Sequence, residues 1–302
     1  MTAAAPLYAC IEAGGTKFVA GLVAEPADVR ATARFPTTSP DATIAAVLGW
    51  FADAVARHGA VRAAGIASFG PLSLDRSAPD WGHITATPKP GWSNTDLAGP
   101  VAAALRVPVG FDTDVNGAAL AEVRWGAGAG QRIAVYLTIG TGIGGGAVVG
   151  GTPLYGLGHP EMGHMRIARH IDDRDFAGVC PFHGDCLEGL ASGPAINARW
   201  GASLSDLPAD HPGHAIIAHY IAQLIVNLQG VMAPGRIMLG GGVMATPGLL
   251  DRVRIAATAL GGGYFAGDPA QVIVAPGLGE RAGLLGALAL AMDAAAAASG
   301  SG

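Results

Sequence analysis

Histidine and cysteine side chains cluster in the middle of the sequence, where four of the nine histidines and two of the three cysteines fall in one short stretch. Cys180, His183 and Cys186 place three potential metal ligands within seven residues, and His164 or His170 could supply a fourth. Thiolate and imidazole ligands in a closed tetrahedral set suit Zn²⁺, and four protein ligands leave no coordination position for water. The stretch therefore predicts a structural zinc site, with free surface thiols near a chance histidine as the alternative.

Two glycine-rich turns, each between two strand-like apolar runs, could hold a phosphate group. Gly14 and Gly15 separate the runs 7–11 and 18–23, and residues 140–146 separate the runs 133–139 and 147–150. Glycine lets several backbone N–H groups converge on an anion without interference from a Cβ atom. We therefore predict a phosphate held by these turns, and the alternative is two ordinary hairpins that need glycine for positive φ.

Neither turn matches the two most familiar phosphate motifs. The P-loop pattern G-x-x-x-x-G-K-[ST] is missing from both, and the G-x-G-x-x-G letters of the second turn are followed by a strand instead of the helix of a dinucleotide fold. Side-chain donors do adjoin the turns, namely Thr16 and Lys17 in the first and Thr141 in the second.

Asp114 is the candidate general base. The run 107–112 predicts a strand and residues 117–125 predict a helix, so Asp114 follows the carboxyl end of a strand, where open α/β sheets place ligand-binding groups. A carboxylate beside a phosphate site can accept the proton of a hydroxyl nucleophile. The alternative is that Asp114 is the N-cap of the helix, and the local sequence does not decide between the two. Strand alternation turns the neighbouring Asp112 to the other side.

Three further polar residues, Glu161, His164 and Glu188, flank the cysteine loop. Folding of that loop would bring them together, and a ring of carboxylates and imidazole suits hydrogen bonding to a polyol. Lys89 could line the same site, with a solvated turn as the alternative.

The elements that must position these residues follow from the hydrophobic periodicity. It predicts helices over 41–58, with Asp41 as N-cap, over 96–105 and over 214–231, and strands over 63–68 and over 236–239, the last ending in Gly240–Gly242. The two glycine hairpins lie about 125 residues apart, and each opens a mixed α/β stretch. This repeat predicts two structurally related domains whose glycine turns meet across a cleft.

The composition excludes several classes of protein. Of the 302 residues, 50% are hydrophobic and only 14% are charged, which excludes a disordered chain, and the net charge of −5 without a basic cluster argues against nucleic acid as a partner. No cationic start and apolar run of a signal peptide is present, and the apolar stretch 282–292 is shorter than a bilayer span. A cytoplasmic protein without membrane contact is therefore expected, with Cys10 as a core residue.

Together these motifs resemble the ROK family of sugar kinases and repressors, within the actin-like ATPase superfamily, over essentially the whole chain. Residues 12–17 resemble the family's first phosphate loop and residues 137–146 its second. Glu161-Met162-Gly163-His164 is similar to the E-x-G-H sugar motif, and residues 180–188 are similar to the zinc loop.

The resemblance implies an α/β fold of two actin-like (ribonuclease H-like) domains with a nucleotide cleft between them. A small N-terminal domain over 1–112 would be completed by the C-terminal helix 281–298, and a large domain over 113–280 would carry the zinc loop. The implied activity is that of an ATP-dependent sugar kinase that uses Mg²⁺ with ATP, holds a structural Zn²⁺, binds a hexose and forms a homodimer.

The resemblance also implies a role for each matching residue. Asp114 would be the catalytic base, and the sugar would be bound by Gly70, Thr113, Asp114, Glu161, His164 and Glu188. The nucleotide would be bound by Gly14, Gly15, Thr16, Lys17, Gly140, Thr141, Gly142, Gly144, Gly241 and Gly242. The zinc ligands would be His164, Cys180, His183 and Cys186, which leaves His170 outside the set.

Three departures from the family pattern, together with His159-Pro160-Glu161 and the segment 87–92, resemble its fructokinase branch. Glu12 stands where many members have Asp, Thr113 replaces the Asn that precedes the catalytic Asp, and the zinc loop is C-x2-H-x2-C where the three-cysteine form is commoner. The implied reaction is transfer of the γ-phosphate of ATP to the 6-hydroxyl of fructose. Mannose, glucose or an N-acetylhexosamine are alternative substrates, because hydroxyl stereochemistry is recognised by geometry.

Two other classes of function are weaker expectations. A sugar-responsive repressor of the same family needs an N-terminal helix-turn-helix, and the first phosphate-loop strand already begins at about Leu7. A zinc hydrolase needs an open coordination position on the metal.

Overall fold

The computed structural model describes residues 5–300, which form two compact units. Unit 1 consists of the described chain up to Ala121, the short segment Tyr155–His159 and the chain from Glu280 onward. Unit 2 consists of Glu122–Leu154 and Pro160–Gly279. The predicted domain limits, 1–112 with 281–298 and 113–280, are not the limits of these two units, and they stay predictions.

The helices and strands of unit 1 come from both ends of the chain. In order they are β1 (Leu7–Ala13), β2 (Lys17–Glu25), β3 (Asp28–Pro36), α1 (Pro40–His58), β4 (Val61–Ser68), β5 (His83–Ile84), β6 (Thr95–Asp96), α2 (Ala98–Leu105), β7 (Val109–Thr113) and α3 (Asp114–Trp125), whose last turn belongs to unit 2.

Unit 2 continues with β8 (Ile133–Ile139), β9 (Ile143–Val149), β10 (Thr152–Pro153), α4 (Leu187–Ala191), α5 (Gly193–Trp200), α6 (Gly213–Met232), β11 (Arg236–Gly240), α7 (Leu249–Gly261), α8 (Pro269–Val272) and β12 (Ile273–Val274). The last helix, α9 (Ala282–Gly300), belongs to unit 1.

The sheet of unit 1 has the strand order β3-β2-β1-β4-β7, in which the first three strands are antiparallel and β4 and β7 run parallel to β1. Alternate residues of a strand face opposite sides of a sheet. Ala64 and Ile66 of β4 therefore face a core with α1 and α2, while Gly65 between them faces α9. A Cβ at Gly65 would overlap the carbonyl oxygen of Ala287, so glycine is what lets the backbone of α9 lie against the strand.

The sheet of unit 2 repeats this arrangement. Its order is β10-β9-β8-β11-β12, again with three antiparallel strands followed by two that run parallel to β8. The buried side of α6, which includes Tyr220 and Leu224, packs with α7 and the strands into one hydrophobic core. The shared strand order confirms the prediction of two related α/β domains.

Several local predictions were wrong, mostly by a few residues at element ends. The second glycine turn is shorter than predicted, because β9 begins at Ile143 and pairs Gly144 with Thr138. Ser39 takes the N-cap position of α1, which leaves Asp41 in its first turn. The next two helices differ from the prediction only in their first residues: α2 begins at Ala98, later than predicted, and α3 begins at Asp114, earlier than predicted.

Two helices, over Gly213–Met232 and Gly279–Gly300, are long and apolar enough to cross a membrane by length and composition alone. The 282–292 stretch lies within the second of these helices. In the most apolar windows of these helices, 50% and 61% of the residues are buried inside the protein, as in the core helices of a globular domain.

Candidate active site

The structure brings His164, Cys180, His183 and Cys186 together in unit 2, with their ligand atoms all within 4.8 Å of one another. His164 Nδ1 lies 3.5 Å from Cys186 Sγ and 3.7 Å from Cys180 Sγ. His183 Nδ1 lies 3.7 Å from Cys180 Sγ and 3.3 Å from His164 Nδ1. Two sulfur and two nitrogen donors therefore converge on one point, and the set matches the one implied by the family resemblance.

Local turns place these four donors. Cys180 and Gly184 exchange backbone hydrogen bonds of 3.2 and 2.9 Å, which closes the loop that carries His183, and Cys186 is the N-cap residue of α4. His170 is directed elsewhere, since its Nδ1 accepts the N–H of Asp172 at 3.2 Å. The predicted ligand set and the predicted bystander are thus in different places.

Asp114 is the first residue of α3, directly after β7. Its Oδ1 accepts the N–H of Val115 at 2.9 Å. The capping hydrogen bond to the helix comes from the preceding residue, because Thr113 Oγ1 accepts the N–H of Asn116 at 3.1 Å. This i to i+3 contact is the N-cap interaction that the sequence left open for Asp114.

Behind this strand end lies a buried carboxylate, Asp112. It accepts hydrogen bonds from the Thr113 N–H at 2.7 Å, from Asn116 Nδ2 at 2.9 Å and from the Tyr155 hydroxyl. Burial raises the pKa of the Asp112 carboxyl, and the hydrogen bonds from Tyr155, Asn116 and Thr113 oppose that rise. The network holds the β7 to α3 junction, which carries Thr113 and Asp114, against the segment Tyr155–His159.

The first glycine turn joins β1 to β2. Gly14 donates its N–H to the Lys17 carbonyl at 3.0 Å, and a Cβ at Gly14 would lie only 2.8 Å from that oxygen. Thr37 braces the turn, since its hydroxyl donates to the Gly14 carbonyl at 2.7 Å and its N–H to the Thr16 carbonyl at 3.0 Å. A Cβ at Gly15 would meet no described atom within 4 Å, so this side of the turn is open.

Glu12, at the end of β1, is the acidic residue of this turn. Burial raises the pKa of its carboxyl, and the positive charges of Lys17 and Arg34 lower it. Glu12 therefore puts a largely buried carboxyl group beside the first glycine turn.

The second glycine turn joins β8 to β9 and is closed by the Gly140 N–H, which donates to the Gly142 carbonyl at 2.9 Å. Glu188 contacts the turn, since its Oε2 accepts the N–H of Ile143 at 2.9 Å. Thr141 is exposed, and a Cβ at Gly140 would have one described neighbour within 4 Å, the N atom of Gly242 at 3.8 Å.

The backbone of these turns excludes the simplest alternative. Of the turn glycines, only Gly241 has a positive φ, of 93°, whereas Gly14, Gly15, Gly140 and Gly142 do not. Ordinary hairpins that need glycine for positive φ therefore do not explain them. Gly242 resembles Gly15 in that a Cβ added there would touch nothing described within 4 Å.

The remaining predicted sugar residues, and Lys89, lie in loops outside the helices and strands. Glu161 is the N-cap residue of the single-turn helix Met162–His164, and its carbonyl accepts the His164 N–H at 3.0 Å. Gly70 lies in unit 1, where a Cβ would come 3.6 Å from His159 Nε2. Lys89 lies in a turn that is closed by the Trp92 N–H, which donates to the Lys89 carbonyl at 3.2 Å.

Three residues that sequence reasoning missed support the candidate site. Thr37 braces the first turn, Tyr155 holds Asp112, and Gly193 donates its N–H to the Gly140 carbonyl at 2.7 Å. Each contact joins residues far apart in the chain, so no local pattern could have revealed them.

The chain is similar to known sugar kinases over nearly its whole length. A family model described as ROK family matches residues 8–294. The fructokinase of Zymomonas mobilis subsp. mobilis is 50% identical over 292 residues, which cover 95% of this chain and 97% of that protein.

Two solved structures share the fold. The ROK hexokinase from Thermus thermophilus has a TM-score of 0.78 at 27% identity, covering 95% of this chain and 98% of that one. A ROK family glucokinase from Streptomyces griseus, solved in complex with glucose and AMPPNP, has a TM-score of 0.70 at 26% identity, covering 95% of this chain and 99% of that one. The two units are therefore the two domains of the actin-like ATPase fold, and the chain belongs to the ROK family.

Proposed function

We propose that the protein is an ATP-dependent kinase whose acceptor is fructose. The observation that carries the proposal is the placement of Asp114 at the carboxyl end of β7, with its carboxylate relieved of the capping role by Thr113. Fructose is favoured over other hexoses because the Zymomonas fructokinase is 50% identical, against 27% for the Thermus hexokinase.

In the proposed reaction, Asp114 accepts the proton of the fructose 6-hydroxyl while the oxygen of that hydroxyl attacks the γ-phosphorus of ATP. A new O–P bond forms, the bond between the γ-phosphorus and the bridging oxygen breaks, and ADP leaves. Most of the barrier in phosphoryl transfer is lowered by positioning and by stabilisation of charge on the phosphoryl oxygens, so the base is one part of a larger arrangement.

The glycine turns are the proposed phosphate sites. Gly14, Gly15, Thr16 and Lys17 of unit 1 and Gly140, Thr141, Gly142 and Gly144 of unit 2 would contact the phosphates, and Gly241 and Gly242 would contact the adenosine end. The open space at Gly15 and Gly242 supports this assignment, because backbone there can approach a ligand closely. Mg²⁺ would enter as the MgATP complex, and Glu12 would be the carboxylate that meets it.

The proposed sugar contacts are Gly70, Thr113, Asp114, Glu161, His164 and Glu188. His164 can contact both the metal and the sugar, because its Nδ1 faces the cysteines and leaves its second ring nitrogen, Nε2, for a sugar hydroxyl. Glu188 uses Oε2 for Ile143, so Oε1 is the oxygen proposed to meet a sugar hydroxyl.

The metal cluster is proposed to bind Zn²⁺. A tetrahedral zinc with two sulfur ligands at about 2.3 Å and two nitrogen ligands at about 2.0 Å separates its ligands by roughly 3.3–3.8 Å. Four of the six ligand separations, at 3.3–3.7 Å, fit that requirement, and the other two lie within 4.8 Å. All four positions would be filled by protein, so the metal would stabilise the loop and leave no place for a hydrolytic water. The zinc hydrolase alternative has no support in this donor set.

The proposal extends to the setting of the protein. ATP and free hexoses meet in the cytoplasm, which is the proposed location, and a homodimer is the assembly implied by the resemblance. The net charge of −5 supports small-molecule partners over nucleic acid.

A coupled assay of ADP release tests the substrate. Fructose, mannose, glucose and an N-acetylhexosamine are compared by kcat/KM at saturating MgATP. Fructose is expected to rank first, and ADP release without sugar is expected to be slow. A higher kcat/KM for any other sugar would reassign the acceptor while leaving the kinase proposal in place.

The base is tested with Asp114→Asn, which is expected to lower kcat by about 10²–10⁴-fold, the usual contribution of a general base. Sugar binding, measured by calorimetry, should persist. Asp41→Asn is the matched control, since Asp41 lies in the first turn of α1 in the same unit. An Asp114→Asn enzyme with near-normal kcat would show that another group takes the proton.

A further inference from the structure

The segments that carry the metal ligands also hold the second glycine turn, residues 140–143. Glu188 follows Cys186 by two positions, and its Oε2 accepts the Ile143 N–H at 2.9 Å. A Cβ at Gly142 would lie 2.8 Å from the same oxygen. The turn is therefore shaped around the Glu188 carboxylate, and glycine at 142 leaves space for it.

The other ligand segment contacts the same peptide from its carbonyl side. Gly163 precedes His164, and a Cβ at Gly163 would overlap the Ile143 carbonyl oxygen. Ile143 therefore has its N–H bound by Glu188, two positions after Cys186, and its carbonyl packed against Gly163, which adjoins His164. A third contact, from the Gly193 N–H to the Gly140 carbonyl at 2.7 Å, fixes the start of the turn.

We propose that Glu188 is a positioning residue for the nucleotide, and that the metal-bound segments act through it to fix the turn 140–143 before ATP arrives. The inference rests on the proposed function, in which this turn takes phosphates of ATP. It gives Glu188 a role beyond the sugar contact implied by the family resemblance.

The physical reason lies in the composition of the turn. Gly140 and Gly142 have a large conformational entropy when the turn is free. If the nucleotide had to order the turn on binding, the loss of that entropy would weaken its affinity. A carboxylate that accepts one N–H of the turn orders it in advance, and a hydrogen bond to a charged group contributes more than one between neutral groups.

The test separates the two roles of Glu188 by three substitutions. Glu188→Ala removes the acceptor, Glu188→Asp keeps the charge and shortens the reach, and Glu188→Gln keeps an acceptor oxygen at full reach without the charge. Affinity for MgADP is measured by calorimetry in the absence of sugar, and affinity for fructose is measured separately. Asp206→Ala is the control, since Asp206 is an acidic residue of the same unit that bonds to Ser203.

The Ala and Asp variants are expected to bind MgADP about tenfold more weakly, the loss of one charge-assisted hydrogen bond. The Gln variant should lose less MgADP affinity than the Ala and Asp variants, because it still accepts the Ile143 N–H and lacks only the contribution of the charge. A residue that only contacts sugar would lower fructose affinity in all three variants and leave MgADP affinity unchanged, and that result would overturn the proposal.

Amide hydrogen exchange at Ile143 gives a readout that requires neither ligand nor activity. Exchange should quicken in Glu188→Ala and after zinc is removed with a chelator, and chelation of the Ala variant should add little more. Equal exchange in parent and Ala protein would contradict the proposal. If the Ala variant does not fold, the contrast between Asp and Gln decides the question, and a parent protein that binds no MgADP would refute the kinase proposal instead.

Discussion

At the scale of single residues, the candidate site depends on carboxylates whose surroundings set their charge. Asp112 is buried, and three donors, the Thr113 N–H, Asn116 Nδ2 and the Tyr155 hydroxyl, are directed at it. Removing the carboxylate would leave the Thr113 N–H and Asn116 Nδ2 buried without an acceptor, at a cost of about 1–3 kcal/mol for each group that stays unsatisfied. Asp112→Ala is therefore expected to lower the free energy of unfolding by at least that amount, measured by urea denaturation.

The same carboxyl gives a pH dependence of known sign. Burial raises the pKa of Asp112 in the folded protein, so between the unfolded and folded values the folded state binds more protons. Its contribution to stability is present below the unfolded pKa and is lost as the pH rises through the folded pKa. Asp112→Asn should therefore gain stability relative to the parent as the pH rises above about 4, and a difference that does not vary with pH would contradict this.

Glu12 offers a second residue-scale prediction. Burial raises the pKa of Glu12 while the charges of Lys17 and Arg34 lower it. Lys17→Met should raise the pKa of the Glu12 carboxyl further, as followed by ¹³C NMR titration of the side-chain carboxyl carbons. Lys89→Met is the control and should leave the Glu12 titration in place, because Lys89 is not among the charges that act on it.

At the scale of elements, glycine sets how closely helix α9 approaches the sheet of unit 1. The Cβ position of Gly65 is occupied by the Ala287 carbonyl oxygen, and that of Gly110 by the Leu290 carbonyl oxygen. Gly65→Ala should therefore destabilise the protein by about 1–3 kcal/mol, because backbone and not a flexible side chain must move. Gly49→Ala is the matched control. Gly49 lies exposed in α1 with open space at its Cβ, so a helical alanine should stabilise by about 0.5–1 kcal/mol.

The elements also show where sequence reasoning succeeds and fails. Continuous apolar runs such as 133–139 locate buried strands because burial on both faces leaves no polar positions. The C-x2-H-x2-C spacing predicts a cluster of potential metal ligands because Cys180, His183 and Cys186 are close along the chain, and His164 joins them in the folded protein. Tyr155, 43 residues from Asp112, and Thr37, 23 residues from Gly14, could not be foreseen, since their roles exist only after the chain has folded. Thr113 is an intermediate case. A Thr three residues before Asn116 is a local capping signal, but only the folded backbone shows that Thr113, and not Asp114, caps the helix.

At the scale of the whole molecule, the two units have separate cores, and all four predicted metal ligands belong to unit 2. Because the binding energy of a structural metal is also folding energy, its removal should loosen the unit that holds it. Hydrogen exchange after chelation is expected to quicken over residues 160–200 and to stay unchanged in β1, β4 and α9. Loss of protection in both units alike would contradict a role confined to unit 2.

Metal content provides the control for that prediction. The protein should carry about one zinc per chain, as a closed four-ligand site requires, measured by mass spectrometry of the metal. Cys180→Ser should lower this content and reproduce the exchange pattern of the chelated protein. Cys10→Ala should do neither, because Cys10 is fully buried in unit 1 and burial raises the pKa of its thiol, which keeps it out of metal chemistry. Equal zinc content in the two cysteine variants would show that the metal is held elsewhere.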